Sequence, residues 1–354
     1  MKKKYFLKPF ELFFIVLNIS TYKIFTGYAG LFPQSSGSSA PISALLSGLL
    51  VFIIIFLLLT LCEKRGAESV FHLTPAKLRL PFFLLLFAYL LFSSASTLRL
   101  TGELIKAVSF PTAPLSYISV IIVSAVVLCC AQGFDAVSRL HSIIIPLSVI
   151  LTLPILISSS GYGDFSNLFP FLGYGVSQTL STAQQSLGLY GDTVILFMLL
   201  PFCNKDTNLK KTALFSLGTG IIINTAIITV FTLLTPYTVS LTISHPFLQL
   251  VKLFSAGRFF QRIDGYFMYA VSGCGILSLA LNFAIISFLA KQVFSLPKIR
   301  PLSYPLGLLT LFLSIIVVNR EVALTLITNG LFVLFPLVLL TISLILLFKR
   351  RKNI

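Results

Sequence analysis

The 354-residue chain contains 56% hydrophobic residues and only 10% charged residues, and its formal net charge is +16. Soluble domains carry about 25% charged residues, so this composition excludes a large soluble protein and favours a polytopic membrane protein. The positive charge does not indicate a nucleic-acid ligand. Lys and Arg instead fall in short clusters between apolar runs, as the positive-inside rule expects for cytoplasmic loops.

The N-terminus, "MKKKYFLKPFELFFIVL", imitates a signal peptide, but its apolar run continues without a nearby cleavage site, so we expect an uncleaved first span. A transmembrane helix needs about 20 apolar residues. The chain has ten suitable segments, which predict one all-α integral membrane domain, 1–354. The segments are 10–32, 41–62, 81–106, 115–131, 140–158, 178–202, 212–235, 263–290, 303–318 and 322–348.

Orientation follows from the distribution of basic residues. With a cytoplasmic N-terminus, 19 of the 26 Lys and Arg residues lie on the cytoplasmic side, 6 lie outside, and Lys23 remains within span 1. This bias predicts that both termini are cytoplasmic. The connection before span 8 contains "HPFLQLVKLFSAGRFFQRID", an amphipathic piece that we expect at the membrane surface.

Ten spans with both termini inside allow a five-plus-five inverted repeat, with spans 1–5 in 10–158 and spans 6–10 in 178–348. Transporters built this way bind ligands where the first helix of each half is broken. Span 1 contains "NISTYK", and span 6 contains glycines and an acid near its centre. We therefore predict broken helices 1 and 6 and a ligand site formed by Asn18, Ser20, Thr21, Tyr22, Lys23, Ser186, Gly188, Tyr190, Gly191 and Asp192.

Lys23 and Asp192 are ionisable residues within predicted spans, where charge is costly and usually functional. Two interpretations are open. The two side chains pair across a central cavity, or Lys23 extends outward while Asp192 faces a cytoplasmic vestibule.

Arg99 and Glu103 are four residues apart, so they share a helix face and can pair, either as an interfacial anchor or as part of an outer gate. Arg262 and Asp264 are two apart, so each is expected to pair with another element. Asp164 and Asn167 have the character of turn residues. The three His and five Cys lack metal-ligand spacing, and no catalytic motif is present, so we predict no metal, no cofactor and no enzyme.

Several local patterns occur together in a characteristic order. They are "LRLTGELIKAVSFPTAP" in span 3, "FSNLFPFLGYGVSQTL" before span 6, "YGDTVILFMLLPFCNK" within span 6 and "QRIDGYF" before span 8. In combination they resemble the B-type subunit of bacterial spore germinant receptors over nearly the whole chain. That family looks related to the amino acid–polyamine–organocation transporters, which implies a LeuT-like five-plus-five repeat.

The resemblance implies germinant recognition. A small nutrient, often an amino acid, would bind near the breaks in spans 1 and 6. The subunit would work with an A-type membrane subunit and a C-type lipoprotein in the inner spore membrane. By position, the family's motifs fall on Gly191 and Asp192 in span 6, on Arg99 and Glu103 in span 3, and on Arg262 and Asp264 at the entry to span 8.

One departure concerns the break in span 1, where the family tends to have small residues. Tyr22 and Lys23 stand there in this chain, so Lys23 is expected to replace a cation or to contact an anionic group of the ligand. Two alternatives remain open beside the receptor hypothesis. One is a proton-coupled secondary transporter for an amino acid or amine, and the other is a structural membrane subunit that has lost its ligand.

Overall fold

The structure is a computed structural model that describes residues 6–26, 28–65, 70–203, 208–240, 263–296, 300–316 and 320–348, with isolated positions between 243 and 251. Helices dominate this part of the chain, and a single β-bridge joins Leu7 to Cys203 within it. The principal helices are α1 Pro9–Phe25, α2 Ala40–Lys64, α3 Ala76–Val108, α4 Leu115–Gln132, α5 Phe134–Ser160, α6 Val176–Gln185, α7 Leu209–Leu234, α8 Ile263–Phe294, α9 Ser303–Ile316 and α10 Arg320–Phe348.

The protein is an integral membrane protein by the length and composition of these helices. Eight helical stretches of the described chain are long and apolar enough to cross a membrane. Helix α1 has 17 residues and α9 has 14, so both are shorter than those eight. The ten-span count and the cytoplasmic location of the termini therefore stay predictions.

Helix α1 occupies the centre of the bundle. Its side chains are buried continuously from Ile15 to Phe25, and it packs against α5, α7, α8 and the segment that follows α6. Helix α3 forms a second central element, because it contacts α4, α8, α9 and α10. The two buried helices bring their polar residues into the middle of the protein, away from lipid.

The interruption of span 1 lies later than the sequence predicts. Residues of "NISTYK" are all helical, and α1 ends at Phe25 with Thr26 as its C-cap. The reason is local, because Ser20 Oγ and Thr21 Oγ1 donate hydrogen bonds of 2.9 and 2.8 Å to carbonyls one turn back in the same helix. Those hydroxyls therefore do not unwind α1. The chain then forms short helical turns until α2 begins.

Span 6 is interrupted by a change of helix type. Helix α6 gives way at Ser186 to a 3-10 segment, Ser186–Ile195, which is followed by a short α-helix, Leu196–Leu199. Two glycines permit close contacts here. A Cβ at Gly188 would lie 2.9 Å from the Leu331 Cβ of α10, and one at Gly191 would overlap the Tyr89 hydroxyl. The two glycines thus allow the segment to pack closely against Leu331 and Tyr89. The chain changes from α-helix to the tighter 3-10 helix and does not unwind.

Asp164 and Asn167 are turn residues, as the sequence predicted. The Asp164 carboxylate accepts a 2.8 Å hydrogen bond from the Ser166 backbone N–H and caps a short 3-10 helix. This hydrogen bond lowers the pKa of Asp164 below its usual value. The Asn167 side chain donates to the Leu233 carbonyl at 2.9 Å, which fastens the loop to the end of α7. All five cysteines are free.

The contact between α1 and α7 gives a stability prediction. A Cβ at Gly220 would overlap Ser20 Oγ, whereas the nearest atom to a Cβ at Gly218 is 3.9 Å away, on Phe52. We expect Gly220→Ala to destabilise the protein by about 1–3 kcal/mol through overpacking. Gly218→Ala in the same helix is the matched control and should be neutral or stabilising by about 0.5–1 kcal/mol. Thermal unfolding in detergent measures both, and equal melting temperatures would contradict the packing described for α1 and α7.

Candidate ligand and ion-pair site

Lys23 and Asp192 form a buried ion pair at the centre of the protein. Lys23 lies in the last turn of α1, and its Nζ is 3.2 Å from Asp192 Oδ1 in the 3-10 segment. Their side chains are 3% and 0% exposed. Ser93 of α3 donates a 2.6 Å hydrogen bond to the same carboxylate oxygen. The sequence left two interpretations open. The structure shows the first of them, in which Lys23 and Asp192 pair directly.

The pair leaves hydrogen-bonding capacity unused. Lys23 Nζ and Asp192 Oδ2 are both buried without a hydrogen-bond partner, so the 3.2 Å contact is electrostatic and not a well-aligned hydrogen bond. An ammonium has three donors, and an ionised carboxylate accepts at both oxygens. The pair can therefore offer further contacts of both signs to a polar ligand.

Two tyrosine hydroxyls add to this set of unused groups. The hydroxyls of Tyr28 and Tyr89 are buried without hydrogen-bond partners, and the Tyr89 hydroxyl lies against Gly191, the residue before Asp192. Buried polar groups are nearly always hydrogen-bonded in native proteins, so a cluster of exceptions calls for a ligand, an ion or ordered water. The cluster around Asp192 is therefore the candidate binding site.

A cavity of about 70 Å³ adjoins this cluster, and Tyr28 belongs to both. Its wall is made by the turns after α1, the end of α6, the start of the 3-10 segment and α10. Among the described residues, the wall contains no Lys, Arg, Asp, Glu or His. Its polar groups belong to Tyr28, Ser35, Thr182, Gln185, Ser186 and Thr328.

The structure divides the predicted ligand residues into two sets. Ser186 and Gly188 line the cavity, and Gly191 adjoins the Lys23–Asp192 pair through Tyr89. These residues and the pair are the part of the predicted site that the fold brings together.

Four of the other five predicted ligand residues have hydrogen-bond partners within the protein. Asn18 donates to the Cys274 carbonyl at 3.1 Å, and its amide nitrogen lies 3.4 Å from His141 Nε2. The Tyr22 hydroxyl reaches Thr101 Oγ1 at 3.3 Å on α3. Ser20 and Thr21 bond within α1, whereas the Tyr190 hydroxyl lies against Gly48 of α2 without a hydrogen-bond partner. None of these five side chains lines the cavity.

Sequence reasoning missed Ser93, Tyr28, Tyr89 and Gln185. Ser93 opens the run "SSAST" inside an apolar span, which was a usable signal because such a run needs buried partners. Tyr28 and Tyr89 resemble ordinary core aromatics in sequence. Gln185 enters the cavity only through the tertiary contact between α6 and the turns after α1, which no local pattern reveals.

Arg99 and Glu103 form the predicted pair on α3. Arg99 Nε lies 2.6 Å from Glu103 Oε1, and Arg99 Nη1 donates to the Ser314 carbonyl of α9 at 3.4 Å. The pair thus ties α3 to α9, and an outer-gate role stays a prediction. Arg262 lies outside the described residues. Asp264 lies in the first turn of α8, but its side chain is also outside the described part.

The fold is that of known transporters. The chain superposes on MhsT in complex with L-phenylalanine with a TM-score of 0.71, covering 97% of this chain and 89% of that one, at 14% identity. For Mhp1, a nucleobase-cation-symport-1 family transporter, the TM-score is 0.70, with 99% and 80% covered and 13% identity. A Na+-coupled sialic acid symporter gives 0.64, with 94% and 79% covered at 13% identity. The chain is thus a membrane protein with the fold of these transporters.

The chain belongs to the spore germination protein family Spore_permease, whose model matches residues 7–323. It is 29% identical over 181 residues to spore germination protein YndE of Bacillus subtilis, covering 50% of this chain and 48% of that protein. It is 25% identical over 245 residues to spore germination protein KB of the same organism, covering 67% of this chain and 64% of that protein. The chain thus spans about half to two thirds of the length of these relatives, and the resemblance found in the sequence is confirmed.

The ion pair gives a double-mutant prediction. Lys23→Met and Asp192→Asn each leave a buried charge without its partner, so each should destabilise the protein by about 3–5 kcal/mol. The double variant should lose less than the sum of the two, because neither charge remains. Melting temperatures in detergent measure the coupling. Lys210→Met is the control, because its pair with Glu63 is 27% and 66% exposed and such surface pairs contribute about 0–1 kcal/mol. Additive effects of the two central substitutions would contradict the pairing.

Proposed function

We propose that this protein is the B-type subunit of a spore germinant receptor, and that a small nutrient binding beside the Lys23–Asp192 pair triggers germination. The observation that carries the proposal is the buried pair with unused hydrogen-bonding groups next to a cavity at two interrupted helices. Membership of the spore germination family supports the biological role. The proposed partners are an A-type membrane subunit and a C-type lipoprotein, and the proposed location is the inner spore membrane.

The chemistry of the site favours a zwitterionic nutrient, such as an amino acid. Asp192 Oδ2 is an unused acceptor for an ammonium group, and Lys23 Nζ has unused donors for a carboxylate. The cavity wall supplies hydroxyl and amide groups but no acidic or basic side chain among the described residues, so a ligand with a net charge would lack compensation there. A molecule with one ammonium group, one carboxylate group and no net charge could pair with both Asp192 and Lys23 and would leave no uncompensated charge in the cavity.

Signalling requires two states that bind the nutrient with different affinity. Tyr28 is a suitable element for this difference, because it lines the cavity and its buried hydroxyl has no hydrogen-bond partner. Tyr28 also follows α1, whose last turn carries Lys23. A shift of the turns after α1 would give a ligand in the cavity access to the charged pair.

A proton-coupled amino acid or amine transporter is the second candidate. Its support is the shared fold with transporters, two of which are described as cation-coupled. In this reading the Lys23 ammonium takes the place of a coupling cation. Concentrative uptake of labelled amino acids into proteoliposomes under a proton gradient would favour transport, whereas saturable binding without uptake favours the receptor.

We predict that Asp192→Asn and Lys23→Met raise the nutrient concentration for half-maximal germination about 10-fold or more. Each removes a charge-assisted contact worth about 1.5–3 kcal/mol. The measurement is a nutrient screen on spores that carry this receptor alone, followed by dose–response curves at matched receptor levels. Wild-type responses in both variants would overturn the site assignment.

Gln185 and Gln184 offer a matched pair for the cavity. Both are exposed residues near the end of α6, but Gln185 lines the cavity and Gln184 does not. Gln185→Ala removes a neutral hydrogen-bonding group worth about 0.5–1.5 kcal/mol and should raise the half-maximal concentration about 2–10-fold. Gln184→Ala should leave the dose–response curve unchanged. Equal effects of the two substitutions would show that the cavity is not where the nutrient binds.

A further inference from the structure

The loop between α5 and α6 exposes an unusual set of large apolar side chains. Six of them, each 50–72% exposed, define what we call the aromatic loop: Tyr162, Phe165, Phe169, Phe171, Leu172 and Tyr174. Between positions 161 and 180 the chain has one charged residue, Asp164. Contiguous exposed apolar surface of this kind marks contact with a protein or a membrane.

The aromatic loop is held firmly in place, so the exposure is a property of the fold. The Asp164 N–H donates to the Leu233 carbonyl at 3.0 Å, and the Asn167 side chain donates to the same oxygen at 2.9 Å. On the other side, Ser38 Oγ donates to the Pro170 carbonyl at 2.5 Å. These hydrogen bonds fasten the aromatic loop to α7 and to the turn before α2, and its rings project from a fixed frame.

The neighbouring helix α5 indicates which environment surrounds the exposed rings of the aromatic loop. Helix α5 is one of the candidate spans, and it exposes Ile150, Leu153 and Ile157 by 64%, 48% and 74%, which is the surface expected to face lipid. Its 27 residues extend about 40 Å, more than the hydrocarbon core of about 30 Å. A helix of this length can cross the core with its last turn at the lipid–water boundary, and the aromatic loop starts two residues after that turn.

We propose that the aromatic loop inserts its rings into the lipid–water interface of the bilayer at the C-terminal end of α5. Phe and especially Tyr suit this layer, where one end of a side chain is apolar and the other is hydrated. The loop follows directly on α5, which exposes apolar side chains up to Ile157, and it carries only one charge, as contact with acyl chains and headgroups requires. The loop is thus a membrane anchor.

The anchor also bears on the cavity wall. A Cβ at Gly173 would overlap the Ser36 carbonyl, and Ser39 Oγ lies 2.8 Å from Thr179 Oγ1 of α6. The loop therefore packs closely against the turn that follows the short helix Leu31–Ser36. Residues of that short helix line the cavity. Insertion of the aromatic loop into the lipid–water interface would therefore hold this part of the cavity wall at a fixed position relative to the bilayer.

Tryptophan fluorescence tests the proposal directly, because the chain contains no Trp. Phe165→Trp and Phe171→Trp each create a single emitter in the full chain, reconstituted in phosphatidylcholine nanodiscs. Ile157→Trp is the lipid-facing reference, and Phe231→Trp, at a position 1% exposed, is the buried reference. Quenching is measured with iodide in the water and with phosphatidylcholine brominated near either end of its acyl chains.

We expect brominated lipid to quench both loop variants at least half as strongly as Ile157→Trp, with bromine near the headgroup end about twofold more effective. Iodide should quench them less than free tryptophan. Strong iodide quenching without lipid quenching would place the loop in water, available to a protein partner, and would overturn the proposal. Shielding from both quenchers, as for Phe231→Trp, would indicate contact between copies and overturn it equally. Because the readout needs no nutrient, it is independent of the proposed receptor function.

Discussion

A buried ammonium–carboxylate contact joins the two interrupted helices and organises the middle of this protein. Lys23 lies in the last turn of α1, Asp192 lies in the 3-10 segment after α6, and Ser93 of α3 donates a hydrogen bond to the carboxylate. Neither charge is tolerable alone at this depth, because an unpaired ion in a low-dielectric interior costs several kcal/mol. The three elements must therefore stay together as long as both residues are charged and no other group replaces either partner. A pair of well-packed apolar residues would hold the same elements at no electrostatic cost. That the chain keeps the charges favours a role in binding.

The buried polar groups of α1 differ in how they are satisfied. Asn18 donates to α8, Tyr22 reaches α3, and the Ser20 carbonyl accepts a 2.8 Å hydrogen bond from Asn224 of α7. These bonds fasten α1 to three neighbouring helices. Near the end of α1, by contrast, Lys23 and the Tyr28 hydroxyl retain unused groups. The helix is thus attached to three neighbours, and unused groups remain on the Asn18 amide oxygen and near the Lys23 end.

Sequence reasoning identified Lys23 and Asp192 and gave their pairing as one of two interpretations for a physical reason, since few charges lie in apolar spans and buried charges need partners. It misplaced the break in span 1, because Ser20 and Thr21 resemble helix-disrupting residues until their bonds to the preceding turn are known. It also included Tyr22 and Tyr190 in the ligand site, although their contacts with α3 and α2 follow from helix packing that periodicity does not encode. The cavity wall was missed in part for the same reason, because Gln185 and Thr328 are brought together by tertiary structure alone.

The ion pair also suggests why a zwitterion can act as a switch. Separating the end of α1 from the 3-10 segment without a ligand would leave two buried charges unpaired, so this motion is opposed by the interaction energy of the pair. A ligand that carries an ammonium and a carboxylate can give each charge a new partner, and it then removes most of that opposition. The ligand would thereby stabilise the separated state relative to the paired one, which is the difference in affinity that switching requires. An uncharged solute of the same size fills space but replaces neither partner, so it binds both states alike and shifts nothing. If the protein acts as proposed, the same two residues would determine which molecules are recognised and how recognition moves the helices.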